Sequence, residues 1–69
     1  MLKNMLSLKE IKHYKSIGLS DQILADAENF LDENEFSLHN LADIGGGDYR
    51  IMYRDKEDKL KVVIRPIPS

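Results

Sequence analysis

The sequence predicts a single α+β domain over residues 1–69, two N-terminal helices packed on a small antiparallel meander of two to three strands. Three observations carry this reading. Ser7 and Ser20 each open a stretch in which apolar residues recur at helical spacing. After Gly45-Gly46-Gly47 the apolar period drops to two, and a charged turn, Asp55-Lys56-Glu57-Asp58-Lys59, separates two such alternating runs.

The first helix is expected over about residues 7–17. Ser7 followed by Glu10 forms a capping box, and Leu6 and Ile11 can close over it as a hydrophobic staple. Ile11, Tyr14 and Ile17 continue the apolar stripe, and Gly18 is placed to end the helix in the left-handed conformation. Ser20 then caps a second helix, with Asp21 in its first turn and Leu19 set to staple onto Leu24. Its apolar positions Ile23, Leu24, Ala27, Phe30 and Leu31 make one face, and Asn34 is placed to end it.

Phe36 and Leu38 alternate as in a strand, but Leu41 breaks the phase, so a bulge, a bend or a short helical turn is expected there. Tyr49, Ile51 and Tyr53 then alternate with Arg50, Met52 and Arg54, and Leu60, Val62 and Ile64 alternate with Lys61, Val63 and Arg65. Sorting by apolarity puts Tyr49, Ile51, Tyr53, Leu60, Val62 and Ile64 against the helices. Pro66 and Pro68 lack the N–H of a ladder donor, so the chain's last residues are expected at a sheet edge or leaving the sheet there.

A chain of this size buries only about 60% of its unfolded surface, which leaves a thin core. With no cysteine to cross-link it, good packing, self-association or a partner must supply the remaining stability. Charged residues at 32% and hydrophobic ones at 42% are globular rather than disordered proportions. Met1 to Lys9 is broken by polar groups too often for a signal-peptide core, and no apolar run is long enough to span a bilayer, so a cytoplasmic location is expected.

The net charge of −2 conceals a segregation. Residues 1–19 carry Lys3, Lys9, Lys12 and Lys15 against Glu10, residues 20–48 hold eight acids and neither lysine nor arginine, and residues 49–69 return to +3. Two candidate binding surfaces follow. One is a basic sheet face of Arg50, Met52, Arg54, Lys61, Val63 and Arg65; the other is an acidic helix face of Asp21, Asp26, Glu28, Asp32 and Glu33.

Chemistry is harder to find. A helix-turn-helix around Gly18 would offer DNA a recognition helix bearing five acids and no base, so DNA binding is not expected. Gly45-Gly46-Gly47 reads as a connection between strands, since Asp48 would repel an anion and no helix follows. His13 and His39 lack the neighbours of a zinc site, and nothing brings Ser37, His39 and Asp43 together as a triad. No catalytic residue, metal or cofactor is expected.

Gly47-Asp48-Tyr49-Arg50-Ile51-Met52-Tyr53-Arg54, a charged turn, and Lys59-Leu60-Lys61-Val62-Val63-Ile64 resemble the strand pair of RelE/ParE-like bacterial toxins. The order of helices before strands is similar as well. The resemblance implies a toxin, neutralised by an antitoxin, that cleaves mRNA in a ribosome-dependent way or poisons gyrase, with Arg50 matching a strand arginine that contacts the substrate in the RNA-cleaving members. The family's strand ahead of the first helix and its catalytic C-terminal tail have no match here, which implies either a degenerate, non-cleaving relative or a coincidence of common hairpin chemistry.

The leading expectation is therefore a non-catalytic protein-binding module, an inhibitor or regulator of the kind phages and mobile elements carry, though no residue bears on that origin. The alternatives are a RelE-like toxin acting on RNA and a structural subunit of a homo-oligomer.

Overall fold

A computed structural model describes residues 6–69. Lys3 and most of the N-terminal stretch read above for a signal peptide lie outside the described residues. Helices α1 (Leu8–Ser16) and α2 (Asp21–Asn34) precede strands β1 (Ser37–Gly45), β2 (Asp48–Arg54) and β3 (Leu60–Pro66), which form one antiparallel sheet in the order β1-β2-β3. The architecture is the expected one, N-terminal helices on a meander.

The ends of α1 are fixed by local hydrogen bonds. The Glu10 N–H donates to Ser7 Oγ at 3.1 Å, and the Ser7 N–H donates back to Glu10 Oε1 at 2.9 Å, completing the capping box. At the other end the Gly18 N–H reaches the Lys15 carbonyl and the Leu19 N–H the Tyr14 carbonyl, a Schellman closure that needs the positive φ of 98° at Gly18. Ser20 caps α2 through its Oγ, and α2 closes in the same way at Glu35, whose φ of 58° puts a non-glycine residue in the left-handed region.

One face of the sheet carries the helices. Tyr14 of α1 and Ile23, Leu24, Ala27 and Leu31 of α2 are buried with Leu41 of β1 and Tyr49 and Ile51 of β2. Both staple residues, Leu6 and Leu19, are buried in the same cluster. The broken phase at Leu41 is a bulge: the register slips between Leu38 and Asn40, so Leu38 pairs with Tyr53 and Leu41 with Ile51, all on the helix side. A second slip falls between Asp43 and Gly45, and β1 then turns into β2 through Gly46 and Gly47, both at positive φ as a tight two-residue hairpin turn requires.

Between β2 and β3 the structure corrects the expected side-chain sorting. Tyr49 lies opposite Arg65, Ile51 opposite Val63 and Tyr53 opposite Lys61, whereas Arg50 lies opposite Ile64, Met52 opposite Val62 and Arg54 opposite Leu60. Cross-strand partners share a face. Leu60, Val62 and Ile64 therefore point away from the helices, and Lys61, Val63 and Arg65 point toward them. The cause is the turn: Asp55 Oδ1 accepts from the Glu57 and Lys59 N–H groups, which fixes a five-residue loop and pairs Arg54 with Leu60. No residue of β3 is fully buried, because the helix layer is centred over β1 and β2.

Candidate functional site

The expected basic face does not exist as one surface. Of its six residues, Arg50, Met52 and Arg54 lie on the outer face, and Lys61, Val63 and Arg65 lie on the helix face. Lys61 Nζ sits 3.7 Å from Asp55 Oδ2, and Val63 packs against the core. Arg65 grips Asp26 of α2 with Nε to Oδ2 at 2.8 Å and Nη2 to Oδ1 at 3.2 Å. The Tyr49 hydroxyl donates to the same carboxylate, and the Arg65 guanidinium stands 5.0 Å over the Phe30 ring.

This cluster is electrostatically closed. The Arg65 hydrogen bond, with a further contribution from Tyr49, holds the Asp26 carboxyl below its usual range despite partial burial. Burial and the neighbouring Asp26 charge push the Tyr49 hydroxyl well up, and the ion pair raises Arg65 in turn. Sorting charge by sequence segment concealed the cross-connection, since Asp26 and Arg65 are far apart in the chain.

The acidic helix face is likewise partly used up within the fold. Asp21 pairs with Lys15 at 3.2 Å, Asp26 is taken by Arg65 and Tyr49, and Glu28 Oε2 accepts the Leu6 N–H at 2.9 Å. Asp32 and Glu33 make no ion pair among the described residues.

What sequence reasoning missed is the outer sheet face as it is built. Leu60, Val62 and Ile64 are 46%, 54% and 50% exposed, and they stand beside Arg50, Met52 and Arg54 of β2. Asn40 and Ala42 of β1 extend the row, opposite Met52 and Arg50. An antiparallel sheet with one wet side ordinarily shows polar residues there. Here the wet side is apolar at its centre and on β3.

Arginines frame this patch. Arg54 Nη1 donates to the Asp58 carbonyl at 3.1 Å and its Nε lies 4.0 Å from the Asp58 carboxylate. The Arg50 Nε is buried and finds no acceptor among the described residues. The signal available in sequence was the Asp55 turn, whose five-residue length dictates which residues of β3 face outward.

The remaining candidates form no reactive arrangement. Ser37 and Asp43 lie on opposite faces of β1, with His39 exposed at the bulge, and His13 stacks edge-on against Tyr14. No group of three or more metal-ligand side chains occurs among the described residues. An open pocket of about 400 Å³ is lined by Phe36, Tyr53, Asp55, Lys56, Glu57 and Lys61, and both of its lysines are already paired, Lys56 with Glu35 and Lys61 with Asp55. No described helix is long and apolar enough to cross a membrane.

Compared with known proteins, the chain matches no family model, no curated protein and no solved structure.

Proposed function

We propose that this chain is a non-catalytic protein-binding module whose outer sheet face receives an apolar partner segment that carries a carboxylate. The observation that carries the reading is the row of exposed Leu60, Val62 and Ile64 beside half-buried Met52 on the face opposite the helices. Covering it stabilises the pair by roughly 25 cal/mol per Å² of apolar area removed from water. The carboxylate follows from the guanidinium groups of Arg50 and Arg54, which flank Met52 along β2 on this face.

A module of this kind acts by occupying another protein's surface, as an inhibitor or regulator does, and a cytoplasmic setting belongs to the same proposal. An RNA-directed reading draws less support, because two of the four bases it would use, Lys61 and Arg65, are engaged by Asp55 and Asp26.

Selection of random linear peptides on the immobilised chain tests the proposal. The expected survivors combine apolar residues with Asp or Glu, and they lose binding to Arg50→Glu and to Met52→Lys variants that retain the wild-type circular dichroism. Survivors that are basic, or that bind both variants as well as wild type, overturn it.

A further inference from the structure

The two edges of the sheet are not alike. β1 is bulged twice, between Leu38 and Asn40 and between Asp43 and Gly45, which spoils it as a template for another strand. β3 pairs with β2 over its whole length without a slip, and among the described residues no strand pairs with its far side. A straight, bulge-free edge presents a row of backbone donors and acceptors to any strand that fits it.

Which groups these are follows from the bonds that bracket the ladder. The Asp55 N–H donates to the Lys59 carbonyl at 3.0 Å, and the Ile67 N–H to the Gly47 carbonyl at 2.8 Å, both in the register of the β2–β3 pairing. Doubly bonded pairs recur at every second residue of an antiparallel ladder. Lys61, Val63 and Arg65 therefore direct their backbone groups at β2, and Leu60, Val62 and Ile64 direct theirs outward at the open edge.

We propose that the chain forms a two-fold dimer in which β3 pairs antiparallel with β3 of a second copy, centred on Val62. In that register Leu60 meets Ile64 of the second copy and Val62 meets Val62. Every open-edge N–H of these residues then finds a carbonyl, and Pro66, which has no N–H, falls beyond the paired stretch. Their side chains join into one apolar row across a six-stranded sheet. The interface is isologous, so it closes after two copies rather than growing into a fibre.

Charge favours the second copy and selects this register. The strand's two cations enter the interface already paired, Lys61 with Asp55 and Arg65 with Asp26. Centring the pair on Val63 instead would put Lys61 directly opposite Arg65 of the second copy, a like-charge contact that costs stability. Centred on Val62, Lys61 faces Val63.

This inference uses the strand edge and goes beyond the face reading above, so the two fail separately. Sedimentation equilibrium of the full chain is expected to give twice the 8.0 kDa chain mass. Val62→Pro, which removes an edge donor without touching the β2 ladder, is expected to return it to 8.0 kDa with its circular dichroism unchanged. Because that variant could fail to fold, Val62→Cys supplies an independent measure in a chain with no native cysteine. A short bis-maleimide is expected to link it into a covalent dimer, since a doubly hydrogen-bonded pair holds the two Cβ atoms too far apart for a disulfide, whereas Ala25→Cys stays monomeric on a denaturing gel. A chain that remains 8.0 kDa at high concentration overturns the inference, as does a dimer that Val62→Cys fails to cross-link. A monomer that still selects apolar–acidic peptides leaves the face reading standing.

Discussion

Arg65 clasps Asp26 through two hydrogen bonds, from Nε at 2.8 Å and from Nη2 at 3.2 Å, and so ties the edge strand β3 to the helix α2. The rest of β3 is held chiefly by its ladder to β2, with Val63 as its main apolar contact to the core. The clasp therefore decides how firmly the open edge and the outer face are presented.

Asp26→Ala is expected to destabilise the domain by roughly 2 kcal/mol, since it removes charge-assisted bonds from Arg65 and one from Tyr49. Arg65→Ala should cost a similar amount, because it also forfeits the contact over Phe30. The double variant should cost less than the two singles summed, as both break the same interaction. Urea unfolding of the four proteins measures this, and strict additivity would mean that the clasp contributes nothing.

The same carboxylate sets a pH dependence. Arg65, then Tyr49, depress the folded-state pKa of Asp26, so on acidification the unfolded chain takes up this proton before the folded one does. The stabilisation is complete above the ordinary carboxylate pKa, about 4, and is lost as pH falls through the lower folded value. Half-buried Asp55, lowered first by its bond from the Lys59 N–H, acts in the same direction. Thermal melts from about pH 7 to about pH 2 should show wild type losing more stability than Asp26→Asn over the acid limb.

Glu35 closes α2 at a φ of 58°, a conformation that L-residues adopt at a cost of about 1 kcal/mol. Its ion pair with Lys56, at 3.6 Å between exposed side chains, offsets little of that. Glu35→Gly is expected to raise stability by about 0.5–1 kcal/mol, read as a higher urea midpoint at unchanged slope. A lower midpoint would assign the Lys56 pair more weight than its exposure suggests.

The helices were legible because their signals are local. Ser7, Glu10, Gly18 and Ser20 act within one turn of chain, and each forms the cap its sequence implies. The bulge ahead of Leu41 could be read from a break in period. The faces of β3 could not be read from apolarity, because Leu60, Val62 and Ile64 look like core and are left outside. Their position is set by the turn bonds of Asp55 and by the long-range demand of Asp26 for Arg65, neither of which a periodicity contains. The candidate surface was half legible for the same reason: Arg50, Met52 and Arg54 were placed together correctly, and the wrong half of β3 was placed beside them.

Neighbouring valines on β3 give the most direct check of this register. Val62 is 54% exposed on the outer face, whereas Val63 is half-buried against the core opposite Ile51. Val63→Ala should cost about 1 kcal/mol, from methyl groups withdrawn from partial burial. Val62→Thr, which keeps the β-branched shape on an exposed site, should change the stability of the single chain by less than about 0.5 kcal/mol. Unfolding followed at low protein concentration isolates these terms from any association. If the costs came out reversed, β3 would be flipped, Arg65 would stand away from Asp26, and the outer row of Leu60, Val62 and Ile64 would belong to the core. Raising the concentration should then separate the roles further: Val62→Thr weakens an apolar contact at the two-fold axis, while Val63→Ala acts within each copy alone.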